Sequence, residues 1–229
     1  MAGDDHFRYR YDLLAEYATV MNELWVDGRS DLKGKYYTMN DCRLGPLPSR
    51  PIPMICAGTS DAGMKFAARH CAYNFCSGNG EMNNPRDCAD SVARLNACTT
   101  QAGTKTKALA LTMIIADETD EAAMAKWEHY KAGVDLDALD WSRSQAGADK
   151  YAAENSTAGR IRRREPLPNS GSRLIGSYAT VASLLDEMSE IEGLAGVMLT
   201  FDDFVIGVEQ FGQRIQPLMR SRRDLAAAA

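Results

Sequence analysis

The sequence lacks several features that would assign a function directly. It holds no C-x-x-C pair, and its three histidines stand far apart with no cysteine or carboxylate at ligand spacing, so we predict no metal site. P-loop, G-x-S-x-G, H-E-x-x-H and dinucleotide G-x-G-x-x-G motifs are all missing. Nucleotide hydrolysis and serine-triad chemistry therefore find no support in the sequence.

An excess of basic residues and long apolar runs are missing as well. The 26 Lys and Arg are outnumbered by 31 Asp and Glu, which gives a net charge of −5. Nucleic-acid-binding proteins usually carry a basic face, so this balance disfavours a nucleic-acid partner. No stretch reaches the roughly 18 apolar residues of a membrane span, and the first residues form no apolar signal region. We expect no membrane association and a cytoplasmic location, in which the six cysteines stay reduced.

The sequence does contain the alternation typical of an α/β fold. Four short apolar runs have little polar alternation, as expected of parallel strands buried on both faces, and they cover residues 52–57, 72–76, 108–116 and 196–201. Each run is followed by a stretch with helical spacing of its apolar residues. Before them, apolar residues at 4-3-4-3-4 spacing from Phe7 to Trp25 predict a long amphipathic helix that ends near Asp27.

The segment 136–177 interrupts this alternation. It begins with a short helical pattern and continues as a polar, Arg-rich stretch with Pro and Gly. We interpret it as an insertion that runs over the surface, in preference to an active-site lid.

Four βα units make up half of a (β/α)₈ barrel, which needs about 250 residues when complete. Four parallel strands alone would leave two sheet edges unpaired, and a homo-oligomer is one way to cover them. The pattern by itself leaves two architectures open: a doubly wound open sheet, and a barrel whose other half is missing.

Two places in the sequence are candidate ligand contacts. At residues 57–63, AGTSDAG, a predicted strand turns into a helix, where Ser60 either binds an anion together with free N–H groups or simply caps the helix. The residues alone leave both readings open. Arg10 and Tyr11 could hold a phosphate and a ring system. Spacing alone favours a solvated Arg10 and a Tyr11 that belongs to the apolar stripe of the first helix.

Several longer strings occur together and in order across nearly the whole chain: GDDHFRYRYDLLAEY, LKGKYYTMNDCR, ICAGTSDAGMKFAARHCAYNFC, IADETDEAAMAKWEHYKAG, GVMLTFDDF and FGQRIQPLM. With these strings the chain resembles the flavin-dependent pyrimidine monooxygenases of the bacterial luciferase-like superfamily. The resemblance implies a TIM barrel, reduced FMN and O₂ as cosubstrates, and opening of uracil or thymine between N3 and C4. It also implies a separate NADH-dependent flavin reductase as partner.

In that family an Arg-Tyr pair and the Ser of the AG-x-S-DAG turn contact FMN, which implies FMN contacts for Arg10, Tyr11 and Ser60. The family's other FMN contacts lie in an N-terminal half that this chain does not contain. We therefore expect a single luciferase-like domain over residues 1–229 that matches only the C-terminal part of the family, with about four βα units of an incomplete barrel. The sequence identifies no catalytic residue. Alternatives are a two-component flavin monooxygenase of another small substrate, such as a sulfone or an alkane, and a non-catalytic barrel fragment.

Overall fold

The computed structural model describes residues 3–163, 167 and 171–223. The helices are α1 (Gly3–Asp27), α2 (Asp61–His70), α3 (Ala89–Ala102), α4 (Asp120–Ala132), α5 (Leu136–Ala146), α6 (Thr157–Arg163), α7 (Tyr178–Ser189) and α8 (Phe204–Gln210). The strands are β1 (Arg29–Ser30), β2 (Cys42–Arg43), β3 (Ile55–Cys56), β4 (Tyr73–Cys76), β5 (Lys107–Asp117), β6 (Arg173–Ser177) and β7 (Leu194–Phe201). A π-helical turn, Phe211–Ile215, continues α8.

The first helix confirms the periodicity prediction. It ends at Asp27, and Gly28 then takes a positive φ of 70°, a conformation that glycine adopts without steric cost. Ala18, one of the predicted stripe residues, is buried. Tyr9 departs from helical geometry, with φ −123° and ψ 16°, so the helix bends just before the candidate residue Arg10.

The main sheet is parallel and is built around the long strand β5. Strand β3 pairs with β4, and β4, β6 and β7 all pair with β5. Alternate N–H groups of a strand point to opposite neighbours. The backbone N–H of Lys107 donates to the carbonyl of the residue before β4, and that of Met113 to the carbonyl of the residue before β6. The backbone N–H of Ala108 donates to the carbonyl of the residue before β7. Strands β4 and β6 therefore share one edge of β5, one after the other, and β7 lies along the other edge.

The four predicted strands are confirmed as β3, β4, β5 and β7, and each is followed by a helix as expected. The count of four βα units is not confirmed, because β6 and α7 form a further parallel unit. This strand lies in the segment 136–177 that the sequence predicts as an insertion. It pairs with residues 113–117 of β5, which extend past the end of β4. The fold class is α/β, and the sheet does not close into a barrel within the described residues.

The two faces of the sheet are covered to different extents. Side chains of α2, α3 and α7 pack on one face. On the other face, α4 covers the part near the carboxyl end of β5, where Trp127 of α4 clusters with Ile115 of β5. The rest of that second face stays exposed. We call it the open face, and it includes Ile55, Leu111 and Met198, which are 52%, 47% and 49% exposed. Parallel sheets are usually covered on both sides, so the open face is an unusual apolar surface.

All six cysteines are free thiols. Among the residues that the structure describes, no helix combines the length and the apolar character that crossing a bilayer requires.

Candidate functional site

The turn between β3 and α2 is held by the side chain of Asn74 on the neighbouring strand β4. Asn74 Oδ1 accepts a hydrogen bond from Gly58 N at 2.9 Å, and Asn74 Nδ2 donates to Gly58 O at 3.0 Å. Asn74 is fully buried. Because a buried amide satisfies both polar groups of one backbone residue, the turn has a fixed position at the carboxyl end of the sheet.

Ser60 is the N-cap of α2. Its backbone is extended and its Oγ accepts a hydrogen bond from Gly63 N at 3.2 Å. Of the two readings that the sequence left open for Ser60, the structure shows the capping one. A hydroxyl that accepts one hydrogen bond still has its own proton to donate, so capping does not preclude an anion contact. Ser60 is 8% exposed and lines a cavity at the carboxyl end of the sheet.

Tyr11 reaches this turn from α1. A Cβ atom built on Gly63 would lie 2.5 Å from Tyr11 Oη and 2.8 Å from Gly58 Cα. The missing side chain of Gly63 thus leaves room for the Tyr11 hydroxyl against the first turn of α2. The Tyr11 ring is also a neighbour of Phe66 on α2, with a centroid distance of 6.0 Å.

Arg10, the residue before Tyr11, forms an ion pair across the site. Its Nη1 donates to Asp149 Oδ2 at 2.8 Å. Asp149 lies between α5 and α6, and its side chain is only 7% exposed. Spacing alone favoured a solvated Arg10, but in the structure its side chain is 30% exposed and supplies the cation that a buried carboxylate from a distant part of the chain requires.

The side chains of Arg10, Tyr11, Ser60 and Asp149 line one cavity of about 720 Å³, within the usual range for small-molecule sites. Of the lining residues that the structure describes, Arg10 and Asp149 are charged, and none is a histidine or cysteine. The walls come from α1, the β3–α2 turn and the segment from α5 to α6. No group of three or more metal-ligating side chains occurs within the described part of the chain.

The segment from α5 to α6 is joined to the turn by further polar contacts. Thr59 Oγ1 and Thr157 Oγ1 are 3.2 Å apart, and Asn155 Nδ2 donates to Asp61 Oδ1 at 3.2 Å. Arg94 also pairs with Asp61, and this hydrogen bond lowers the pKa of Asp61 below its ordinary value. The Asp61 carboxylate is thus engaged outside the cavity. This segment forms a wall of the site.

The residues Arg10, Tyr11 and Ser60 come together here as the sequence predicted, although Ser60 is far from the other two in the chain. Sequence reasoning missed Asn74 and Asp149. Asn74 had a detectable signal, since a polar amide inside a short apolar strand requires a partner. Asp149 lies in an irregular polar stretch where nothing local distinguishes it.

Two aspartates stand at or just after strand ends, where a carboxylate can cap the helix that follows. Asp203 does cap α8, accepting from the N–H groups of the second and third residues after it. Asp117 does not cap α4, because Thr119 takes that position. Asp117 instead pairs with Lys126 at 2.8 Å.

A family model and individual relatives both match this chain to monooxygenases. The family model described as luciferase-like monooxygenase matches residues 1–192. Pyrimidine monooxygenase RutA of Klebsiella pneumoniae subsp. pneumoniae is 50% identical over 226 residues, which cover 98% of this chain and 62% of that protein. The protein of the same name from Allorhizobium ampelinum is 51% identical over 232 residues, covering 98% and 63%. The chain thus spans about three fifths of the length of these relatives. The expected restriction of the match to their C-terminal part is not confirmed.

Solved structures share the fold at low sequence identity. Riboflavin lyase (RcaE) superposes with a TM-score of 0.74 at 17% identity, covering 97% of this chain and 59% of that one. DmoA from Hyphomicrobium sulfonivorans gives a TM-score of 0.68 at 22% identity, covering 94% and 56%.

Proposed function

The chain belongs to the luciferase-like monooxygenase family, and from that premise we propose that it is an FMN-dependent pyrimidine monooxygenase chain. One observation carries the proposal: Arg10, Tyr11 and Ser60 line a single cavity at the N-terminus of α2. The proposed reaction opens the ring of uracil or thymine between N3 and C4. Names of relatives about 50% identical favour a pyrimidine over the sulfone or alkane alternatives.

The residues present fit the phosphate end of FMN. The cavity combines a guanidinium from Arg10, hydroxyls from Thr59 and Ser60, and the N-terminus of a ten-residue helix. A helix N-terminus favours an anion by about 0.3–1 kcal/mol, and a guanidinium adds directed, charge-assisted hydrogen bonds. Close backbone packing of Gly58 against Gly63 keeps bulk away from this turn. Cation, donors and dipole together suit a phosphate monoester.

In this proposal each side chain has a binding task. Ser60 donates its hydroxyl proton to a phosphate oxygen while its Oγ continues to accept from Gly63 N. Tyr11 places its hydroxyl beside the same turn. Arg10 neutralises phosphate charge, and the wall from α5 to α6 limits access of water to the cavity.

Reduced flavin, when bound, supplies the electrons for activating O₂. The proposal includes a separate NADH-dependent reductase as the source of that flavin, and a cytoplasmic location. No catalytic residue is assigned, because the described cavity contains binding groups and the pyrimidine position is not defined by it.

The test is a titration with FMN, followed by quenching of flavin fluorescence, for the unsubstituted chain and for Ser60→Gly. Glycine at an N-cap costs only a few tenths of a kcal/mol, so this change removes the hydroxyl and largely spares the helix. A lost hydrogen bond to a charged oxygen should weaken FMN binding roughly tenfold or more. Ser177→Gly is the matched control, because Ser177 caps α7 with the same 3.2 Å hydrogen bond and does not line the cavity.

Equal FMN affinity of Ser60→Gly and the unsubstituted chain would contradict the placement of the phosphate. Substrate is tested separately by supplying NADH, FMN and a flavin reductase with uracil. A ring-opened acid as product supports the pyrimidine assignment, and oxidation of a sulfone or alkane in place of uracil overturns it.

A further inference from the structure

Asp149 is a buried carboxylate that the proposed binding groups do not include. Its Oδ2 accepts from Arg10 Nη1 at 2.8 Å, and its Oδ1 accepts from Tyr151 N at 3.0 Å. Its backbone oxygen accepts from Arg162 Nη2 at 2.6 Å. Hydrogen bonds to both carboxylate oxygens thus fix the orientation of the Asp149 side chain, and Arg162 holds its backbone.

We propose that Asp149 is a positioning residue that fixes the Arg10 guanidinium for recognition of the flavin phosphate. The inference rests on the proposed function. It makes the segment from α5 to α6 part of the flavin site, and it assigns to one ion pair the preference for FMN over riboflavin, which lacks the phosphate.

The physical reason is the flexibility of arginine. Ordering a long Arg side chain costs conformational entropy, and an anionic ligand must otherwise supply the free energy for that ordering when it binds. A carboxylate held on both oxygens orders Arg10 in advance. A guanidinium carries five N–H donors in a fixed plane, so one edge can engage Asp149 while another faces the cavity.

The carboxylate also has a cost, because a negative charge beside a bound phosphate is repulsive. Asp149 and Arg10 are both lining residues, so the two effects act at the same place. The inference requires that ordering of Arg10 outweighs this repulsion. Removing the carboxylate must then weaken FMN binding, whereas a dominant repulsion would strengthen it.

The experiment measures dissociation constants of FMN and of riboflavin for the full chain, for Asp149→Asn and for Asp149→Ala. We expect FMN binding to weaken roughly tenfold in Asp149→Ala and less in Asp149→Asn, which keeps an oxygen acceptor. Riboflavin affinity should stay within about twofold, because riboflavin lacks the phosphate that the ordered Arg10 recognises. Asp149→Glu, which restores the charge, should recover part of the FMN preference.

Arg10→Gln should lower the FMN preference by itself, and adding Asp149→Ala to it should have no further effect on that preference. Asp140→Asn is the matched control, since Asp140 is an exposed carboxylate of α5 paired with Arg143 and does not line the cavity. Far-UV circular dichroism and thermal melting verify the fold of each variant.

A parallel loss of FMN and riboflavin binding would show that Asp149 only supports the wall, and it would overturn the inference. Unchanged or tighter FMN binding in Asp149→Asn would also overturn it, while leaving the proposed function intact. An unsubstituted chain that fails to bind FMN would overturn the proposed function and this inference together.

Discussion

Asn74 holds Gly58 by both of its backbone polar groups, with hydrogen bonds of 2.9 Å and 3.0 Å from a fully buried amide. Asn74→Ala leaves the N–H and C=O of Gly58 buried without these partners. Unsatisfied buried groups cost about 1–3 kcal/mol each, so we expect a loss of stability in that range or above and weaker FMN binding. Urea unfolding and FMN titration measure the two effects.

Asn96→Ala is the control for this prediction. The Asn96 side chain donates an exposed hydrogen bond from its Nδ2 to Glu192 O. Its loss should change the free energy of unfolding by at most about 0.5 kcal/mol. Similar costs for the two variants would argue against the special role of Asn74.

Gly63→Ala should displace Tyr11 from the turn. The added Cβ would lie 2.5 Å from Tyr11 Oη and 2.8 Å from Gly58 Cα, and the second contact is with backbone that cannot easily move. Overpacking of this kind costs about 1–3 kcal/mol, and FMN affinity should fall as well. Thermal unfolding and flavin titration test this. Gly212→Ala, where the new Cβ meets nothing within 4 Å, should be neutral or stabilising. An unaffected Gly63→Ala chain would show that the turn and Tyr11 are loosely packed.

Asp186 should make the stability depend on acid pH. Burial raises its pKa, but hydrogen bonds from the backbone N–H groups of Ser221 and Arg220 outweigh this effect and lower the pKa to about 2. A folded-state pKa below the ordinary 3.8 stabilises the protein above pH 4, and this stabilisation is lost as the pH falls from 4 to 2. It amounts to about 2 kcal/mol.

Asp186→Asn should therefore lower the free energy of unfolding at neutral pH by about 2 kcal/mol and flatten its decline between pH 4 and 2. Urea titrations at a series of pH values measure both. Glu187→Gln changes an exposed carboxylate of the same helix and should shift stability by less than about 0.5 kcal/mol. If the free energy of unfolding of Asp186→Asn still falls steeply between pH 4 and 2, groups other than Asp186 cause the acid dependence.

The open face predicts self-association of the 229-residue chain. Leu111 and Met198 are adjacent in the register of β5 and β7, and both are about half exposed. Among the described residues, the edge strand β3 of this parallel sheet pairs only with β4. Replacing both with Lys should shift the mass measured by light scattering toward the monomer, because charges on this face oppose association. Val26→Lys, at an exposed position near the end of α1, should leave the mass unchanged. A monodisperse monomer of the unsubstituted chain at all concentrations would contradict the prediction.

Local features of the sequence were sufficient for much of the fold. Apolar runs without alternation predicted β3, β4, β5 and β7, since strands of a parallel sheet carry apolar side chains on both faces, although here the open face stays exposed. Strand β6 escaped because it is short and follows an Arg- and Pro-containing stretch, and because its pairing depends on how far β5 extends beyond β4.

The sequence by itself determined most of the helices and strands and offered Ser60 as a candidate cap, because hydrogen bonds of helices and caps join residues only a few positions apart. Only the tertiary structure decided that Arg10 and Tyr11 meet Ser60, that Asn74 holds Gly58, and that Asp149 pairs with Arg10. These contacts join distant parts of the chain, and their geometry follows from the packing of α1 and the α5–α6 segment around the end of the sheet. A residue's own neighbours in sequence carry no record of that packing, so the contacts that form the candidate site became visible only in the tertiary structure.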